Sequence, residues 1–445
     1  MTVKVRFAPS PTGRLHVGNV RTALQNFLFA RAQGGTFLLR VDDTDTERST
    51  KEYERWIEHD LEWLGLSFDQ KMNQSDRFDR YDEAAAKLKA AGLLYPAYET
   101  EEELDRQRKL RRAQGQPPVY NRAALELTEA DHARFKEEGR RPHWRFRLSQ
   151  QTVEWTDLVR GAQSIETASL SDPILIREDG SYLYTLPSVV DDIELGITHV
   201  VRGEDHVTNS AAQIEIFRAL GAEPPAFAHT PLLVGSDGGK LSKRLGTLAV
   251  GELRENDGIE PMAICSLLAR LGTSEPVEPF ADIAPLIEGF SFDKIGRAPA
   301  RFDPAELRAL NARILHDTPY DEVAGRLEEM EIGGGEMFWN AVRANLETLK
   351  DAFEWQSVVE GPIDPVIEDA EFASAAAALL PHEIGAESWG EWTAAVKEAT
   401  GRKGKQLFLP LRLALTGRPR GPEMDAMLAL IGRERAMKRL AGERA

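Results

Sequence analysis

Apolar and polar residues alternate through "VKVRF" (3–7), and the β-branched content of that run predicts a buried first strand. The period then changes. From Val17 to Gln33 the apolar residues Val17, Val20, Ala23, Leu24, Phe27, Leu28 and Ala30 recur at helical spacing. Between the two lies "APSPTGRLHVGN" (8–19), whose prolines fix a loop shape and whose Gly13 and Gly18 permit close backbone approach. His16 and Gly18 therefore fall at a strand-to-helix junction, where free N–H groups and the helix dipole attract anions. The spacing fits neither a Walker loop nor G-x-G-x-x-G. A shaped turn with a capping histidine is the plain structural alternative.

Further along, the apolar strand pattern "TPLLV" runs straight into "GSDGGKLSKRLGT" (235–247). Glycines there surround Lys240, Lys243 and Arg244, a set of cations that suits a polyphosphate whose charge moves during reaction. An exposed basic loop is the alternative. Later runs such as "MAICSLLARLG" and "FDPAELRALNARILH" have helical periodicity, and amphipathic helices broken at "GGGEM" and "GRPRGPEM" continue to Ala445.

Composition narrows the picture. A chain of 445 residues exceeds one ordinary core and implies two to four domains. With 42% hydrophobic and 29% charged residues it reads as soluble and globular, and no apolar run reaches membrane-spanning length. "MTVKVRFAPS" has no signal-peptide pattern. The single cysteine, Cys265, excludes an internal disulfide and a thiolate-rich zinc site, and fits a reducing cytoplasm. A net charge of −17 argues against bulk nucleic-acid binding but leaves room for a local basic face.

"PSPTGRLHVGN" resembles the His-x-Gly-x motif of class I aminoacyl-tRNA synthetases, and "KLSKR" resembles their Lys-x-Ser-Lys motif. "RFAPSPTGRLHVG", "LLRVDDTDTERS", "VVDDIELGITHVVRGEDH" and "GKLSKRLGT" together are similar to bacterial glutamyl-tRNA synthetases, as are "LPLRLALTG" and "IGRERAMKRL" near the C-terminus. The resemblance implies an α/β multidomain chain. A class I Rossmann-like catalytic domain (1–97 and 181–245) would be interrupted by an α/β acceptor-stem-binding domain (98–180). A helical connecting domain (246–320) and an α-helical anticodon-binding domain (321–445) would follow.

The chemistry so implied is formation of glutamyl-adenylate from L-glutamate and ATP with Mg²⁺, then transfer to the terminal ribose of tRNA(Glu). His16, Lys240, Lys243 and Arg244 would be catalytic. Gly13, Gly18, Asp205, Leu233, Ser242 and Lys243 would hold ATP. A site for glutamate must neutralise a carboxylate, for which arginine is best suited, and Arg6 and Arg202 are the candidates. By the motif match Ala8, Ser10, Tyr184 and Ser188 line the same pocket, and Asp42 takes the substrate ammonium. Asp42, Asp43 and Asp45 otherwise read as an acidic helix entry. Asn19 stands where the general class I pattern has a second histidine.

"RQRKLRR" sets five basic residues between Arg106 and Arg112; Arg106, Arg108 and Lys109 are candidate tRNA contacts, with a solvated helix face as the alternative. Arg412 is the candidate in the anticodon-binding end. Some relatives carry a zinc knot in the inserted domain; Tyr98 and Thr100 fall at two such positions with no cysteine near, so no zinc is expected. The expected enzyme is a cytoplasmic monomer with no membrane partner. Charging of tRNA(Gln) as well, and a catalytically silent RNA-binding paralogue, are the alternatives.

Overall fold

Residues 2–239, 241, 248–385 and 387–445 are described by the computed structural model. The chain divides into two compact units, Met1–Leu253 with Cys265–Val277 and Asp282–Asp303, and Arg254–Ile264 with Glu278–Ala281 and Pro304–Ala445.

The first unit begins with strand β1 (Lys4–Phe7), helix α1 (Val17–Ala32), β2 (Thr36–Val41), α2 (Lys51–Trp63), β3 (Gln70–Asn73), α3 (Phe78–Ala90) and β4 (Leu94–Ala97). Helices α4 (Glu101–Ala113) and α5 (Glu129–Glu137) follow, then β5 (His143–Phe146), β6 (Thr152–Asp157), β7 (Gly161–Glu166) and β8 (Ile174–Ile176). The remainder includes α6 (Thr185–Glu194), β9 (His199–Gly203), α7 (Val207–Ala219), β10 (Ala226–Thr230), β11 (Leu233–Gly235) and β12 (Ala300–Phe302), with helical segments between the last two.

Strands β1, β2 and β3 pair in parallel, with Arg6 opposite Leu38 and Leu38 opposite Gln70. Strands β9 and β10 pair in parallel, β10 pairs β6 in parallel, and β7 closes the far edge antiparallel. Thr198, just before β9, donates its N–H to the Lys4 carbonyl at 2.9 Å and so sets β9 beside β1. The order 3-2-1-9-10 is that of a doubly wound nucleotide fold, with its switch point between β1 and β9. Val17, Val20, Leu24, Phe27 and Leu28 of α1 are buried, and so are Arg21, Gln25 and Asn26 on its other faces. The helix is enclosed on all sides rather than amphipathic.

Strands β6 and β7, within the span expected as an insertion, continue the sheet of β9 and β10: Asp157 pairs Phe227, and Val153 shares a core cluster with Val200, Ile214 and Phe227. The antiparallel sheet of β4, β5 and β8 is the separate one. A short alternating strand declares its buried face but not its neighbour. Residues 246–320 contribute segments to both units.

In the second unit the helices from Pro304–Asp317 to Met424–Leu440 pack around Trp339, Trp392, Leu411, Leu415, Met427 and Ile431. Both buried indoles keep a hydrogen bond, Trp339 to the Thr318 carbonyl at 2.9 Å and Trp392 to that of Ala376 at 2.8 Å.

Candidate active site

Helix α1 opens where β1 has ended and the Pro9–Pro11 loop has turned the chain. His16 is its N-cap: Nδ1 accepts the N–H groups of Gly18 at 3.1 Å and Asn19 at 3.4 Å. Asn19 returns the bond, its Oδ1 accepting the His16 N–H at 3.3 Å. A Cβ on Gly18 would sit 3.0 Å from the imidazole, so glycine there lets the ring lie over the helix start. Val17 donates to the Leu248 carbonyl at 3.1 Å and Val250 to that of Leu15 at 2.9 Å, which ties residues 248–250 to the same junction.

His16 borders a cavity of about 770 Å³ at the carboxyl ends of β1 and β9. Of the expected site residues, Arg6, Ala8, Ser10, Gly18 and Asp42 line it from the first half of the fold. Tyr184, Ser188, Arg202, Asp205 and Leu233 line it from the second. Gly13 is not among the lining residues. Lys240, Ser242, Lys243 and Arg244 lie outside the described residues, although Leu241 also borders the cavity.

Charge divides the cavity's arginines into two kinds. Arg6 donates to Asp192 at 3.0 Å, and Arg40 bonds both Asp42, at 2.7 Å, and Asp192, at 3.0 Å. Arg40 also donates to the Ser188 hydroxyl at 3.1 Å. Burial opposes the Arg40 charge, but Asp42 and Asp192 outweigh it and hold the guanidinium protonated. Burial pushes the Asp42 carboxyl up, against the pull of Arg40. Arg202 is different. It is buried with neutral partners only: His229 Nε2 at 3.3 Å, Ser210 Oγ at 2.7 Å and Gln213 Oε1 at 2.7 Å. Among the described residues no carboxylate comes within ion-pair distance of it, its Nη1 makes no hydrogen bond, and burial brings it down to about 10. A buried cation without a counter-ion, on a cavity wall, leaves a charge that only a ligand can balance.

Sequence reasoning does not find Arg40, Arg21, His229 or Asp192 as parts of this site. Arg40 carried a signal, since it stands two residues before Asp42 on a strand and so shares its side. Arg21, one turn into α1, also borders the cavity without a carboxylate partner among the described residues, but its two terminal nitrogens are taken up by the carbonyls of Pro231 at 2.6 Å and Leu271 at 3.0 Å. Asp191 serves packing: it accepts from Gln74, Arg77 and Tyr81.

The candidate tRNA contacts are scattered. Helix α4 buries none of its residues, and Arg108 is ion-paired with Asp105 at 2.6 Å on its own helix. Arg106 borders a second cavity of about 340 Å³ with Tyr98, Phe135 and Arg140. Lys109 is exposed. Tyr98 stacks on Phe135 at 4.7 Å, and Thr100 caps α4. In the helical unit Arg412 is half-buried and donates inward to the Pro422 carbonyl at 2.9 Å, so its guanidinium is held by the protein.

This cavity, at the switch point of a doubly wound sheet and under a histidine-capped helix, defines a class I tRNA synthetase. The family of class I tRNA synthetase catalytic domains (E and Q) matches residues 2–309, and an anticodon-binding domain matches 366–442. The chain belongs to the glutamate–tRNA ligases. It is 64% identical over 443 residues to glutamate–tRNA ligase 1 of Maricaulis maris, covering 99% of this chain and 100% of that one. It is 62% identical to glutamate–tRNA ligase 2 of Hyphomonas neptunium, over 98% and 99% of the two chains. Its structure superposes on the glutamate-tRNA synthetase of Elizabethkingia anophelis with a TM-score of 0.86, at 28% identity over 99% of both chains. The glutamate tRNA ligase of Elizabethkingia meningosepticum, solved in complex with its amino acid, gives 0.85, at 28% identity over 99% and 98%. The enzyme is thus an ATP-dependent aminoacyl-tRNA synthetase that attaches glutamate to tRNA(Glu).

Proposed function

We propose that the cavity takes L-glutamate against Arg202 and MgATP against the start of α1, and joins them as glutamyl-adenylate. The single observation that carries this is the uncompensated guanidinium of Arg202 on the cavity wall. Glutamate brings the missing carboxylate, while Arg6 and Arg40 already have theirs. Asp42 keeps lone pairs for the substrate ammonium beside its two bonds to Arg40. Tyr184 and Ser188 close the pocket, and Ala8 and Ser10 line its floor.

The glutamate α-carboxylate oxygen attacks the α-phosphorus of ATP; a new O–P bond forms and the bond to pyrophosphate breaks. Positioning and charge neutralisation supply such a step. His16 Nδ1 is taken up by backbone N–H groups, so the ring proton sits on Nε2 and is donated to a phosphate oxygen. Gly18 admits the phosphates close to the backbone. Lys240 and Lys243, with Arg244 in support, neutralise the departing pyrophosphate, and Ser242 helps to hold the phosphates; of their neighbours, Leu241 borders the cavity and Leu248 accepts the Val17 N–H. Asp205 accepts from the ATP ribose and Leu233 meets the adenine. In the second step a terminal ribose hydroxyl attacks the glutamyl carbonyl and AMP leaves.

Gripping the acceptor end is assigned to the inserted span through Arg106, Arg108 and Lys109 on α4, and Arg412 is assigned to the anticodon side. The enzyme is read as a monomer by default and as cytoplasmic, since a lone buried thiol needs no oxidising compartment.

Charging with labelled glutamate on separately purified tRNA(Glu) and tRNA(Gln) tests the reading, with aspartate and glutamine as controls. Charging of tRNA(Glu) alone is expected. Charging of both would mean a non-discriminating enzyme, and charging of neither would overturn the reading.

A further inference from the structure

We infer that His229, clamped between Asp157 and Ser210, is a positioning residue that fixes Arg202 and thereby sets the enzyme's affinity for glutamate. The inference rests on the reading that Arg202 holds that substrate.

Its geometry starts at the end of β6. The Asp157 carboxylate accepts the N–H groups of Val159 at 3.0 Å and Arg160 at 2.9 Å, and both its oxygens lie 3.2 Å from the backbone N of His229. Four contacts to backbone leave it no freedom to turn. His229 Nδ1 lies 2.5 Å from Asp157 Oδ2. An ionised carboxylate can only accept, so the proton is on Nδ1 and Nε2 presents a lone pair. That lone pair faces the Arg202 Nε–H at 3.3 Å. The two residues are direct partners across β9 and β10, so neighbouring strands present them on one side of the sheet. Ser210 Oγ completes the clamp, 2.9 Å from Nε2 and 2.7 Å from Arg202 Nη2.

Every member is enclosed. His229 and Ser210 have no exposed surface, and Asp157 and Gln213 have almost none. Burial lowers the proton affinity of His229, so the imidazole stays neutral and can accept from a guanidinium it would repel as a cation. Three Arg202 donors are thereby directed to His229, Ser210 and Gln213. Only the Nη1 edge remains for a ligand in the cavity. Packing alone does not call for this arrangement, because an apolar side chain would fill the same buried volume without the desolvation of a cation. The network extends the enzyme's substrate recognition to Asp157, two side chains removed from the cavity.

The test measures KM for glutamate, ATP and tRNA, kcat, and melting temperature for four variants. In His229→Asn the amide keeps a donor toward Asp157 but does not reach Arg202; in His229→Gln the carbonyl replaces the Nε2 acceptor. Loss of a hydrogen bond to a charged group should raise KM for glutamate about tenfold or more in His229→Asn. ATP and tRNA constants should stay at wild-type values, and His229→Gln should recover most of the loss. Ser210→Ala, which removes the shared hydroxyl without adding bulk, should raise the same KM several-fold at an unchanged melting temperature, and it decides the matter if His229→Asn does not fold. Arg202→Gln is the reference. If it raises KM for glutamate while His229→Asn and Ser210→Ala do not, the positioning role fails and the reading of Arg202 stands. If Arg202→Gln itself leaves that constant unchanged, both fail. Equal impairment of the Asn and Gln variants in all three substrates, with lowered melting temperatures, would make His229 structural and overturn the inference.

Discussion

The imidazole of His16 accepts the backbone N–H of Gly18 through Nδ1 at 3.1 Å, so the residue is at once a helix cap and a wall of the cavity. The two roles use different nitrogens. Capping by an acceptor side chain contributes about 1 kcal/mol, and replacement by alanine forfeits it. Burial also lowers the His16 pKa, which keeps the ring neutral with its one proton on Nε2.

His16→Asn and His16→Ala separate the roles. Asparagine is a good N-cap, so His16→Asn should melt close to wild type, whereas His16→Ala should lose about 1 kcal/mol. Both lack the Nε2 donor, and adenylate formation should fall about 10²-fold or more in each, as for removal of a preorganised donor to developing charge. Pyrophosphate exchange and a thermal melt read the two effects. Near-normal exchange in a folded His16→Asn would remove His16 from the chemistry and leave only the cap.

Asp192 is the common counter-ion of Arg6 and Arg40, at 3.0 Å from each, with only 4% of its side chain exposed. Asp192→Asn keeps the shape and removes the charge, leaving two buried guanidiniums with Asp42 alone. Breaking a buried pair costs about 3–5 kcal/mol, and the catalytic unit should unfold at correspondingly lower denaturant. With Arg6 and Arg40 no longer balanced, KM for glutamate should rise as well. An unfolding curve like that of the wild type would show that the cluster is not held by charge.

Much of the site was legible before any fold was known. The change from period 2 to period 3.6 between Phe7 and Val17 marked β1 and α1, and the loop between them marked a junction that borders the cavity. Arg6 and Arg202 both stood out as receptors for a carboxylate. What separates them is their counter-ions, and those come from far along the chain: Asp192 reaches Arg6 across 186 residues. No local pattern encodes that a cation is left unbalanced. The same holds for His229, whose partner Asp157 is 72 residues away on a strand whose sheet could not be told from "TVEWTD". Arg412 is a different case. A basic residue on an amphipathic helix reads as exposed, but here the helix turns it toward Pro422.

Acid should act on the sheet of β4, β5 and β8 through His143. Burial first, and then the nearby Arg145 charge, depress it to about 4, while Glu99 at 3.9 Å opposes only weakly. A base with a lowered folded pKa binds fewer protons folded than unfolded. Its contribution to stability is therefore whole above about 6.5, falls as the pH drops toward about 4, and levels off below. His143→Gln keeps an acceptor for the Arg145 Nε–H, which the imidazole takes at 3.1 Å, but has nothing to titrate. Stability measured from pH 7 to 4 should decline less steeply in the variant, and the difference between the two curves isolates His143 from the other buried histidines. Superimposable curves would mean that His143 titrates normally in the folded chain.

Gly421 tests the helical unit in the same spirit. Its φ of +147° is one that side chains rarely adopt, and a Cβ there would lie 2.1 Å from the Trp355 ring. That indole is 7% exposed and belongs to the core of the unit, with the Arg418 guanidinium 5.4 Å from its centroid. Gly421→Ala has no relaxed solution: either the ring leaves its place in the core or the turn before Met424–Leu440 shifts. Overpacking of this kind costs about 1–3 kcal/mol, to which the backbone strain adds. The melting transition of the helical unit should fall by several degrees. KM for glutamate and ATP, which depends on the other unit, should stay put at 25 °C. A variant that melts like the wild type would place the Trp355 ring elsewhere in solution.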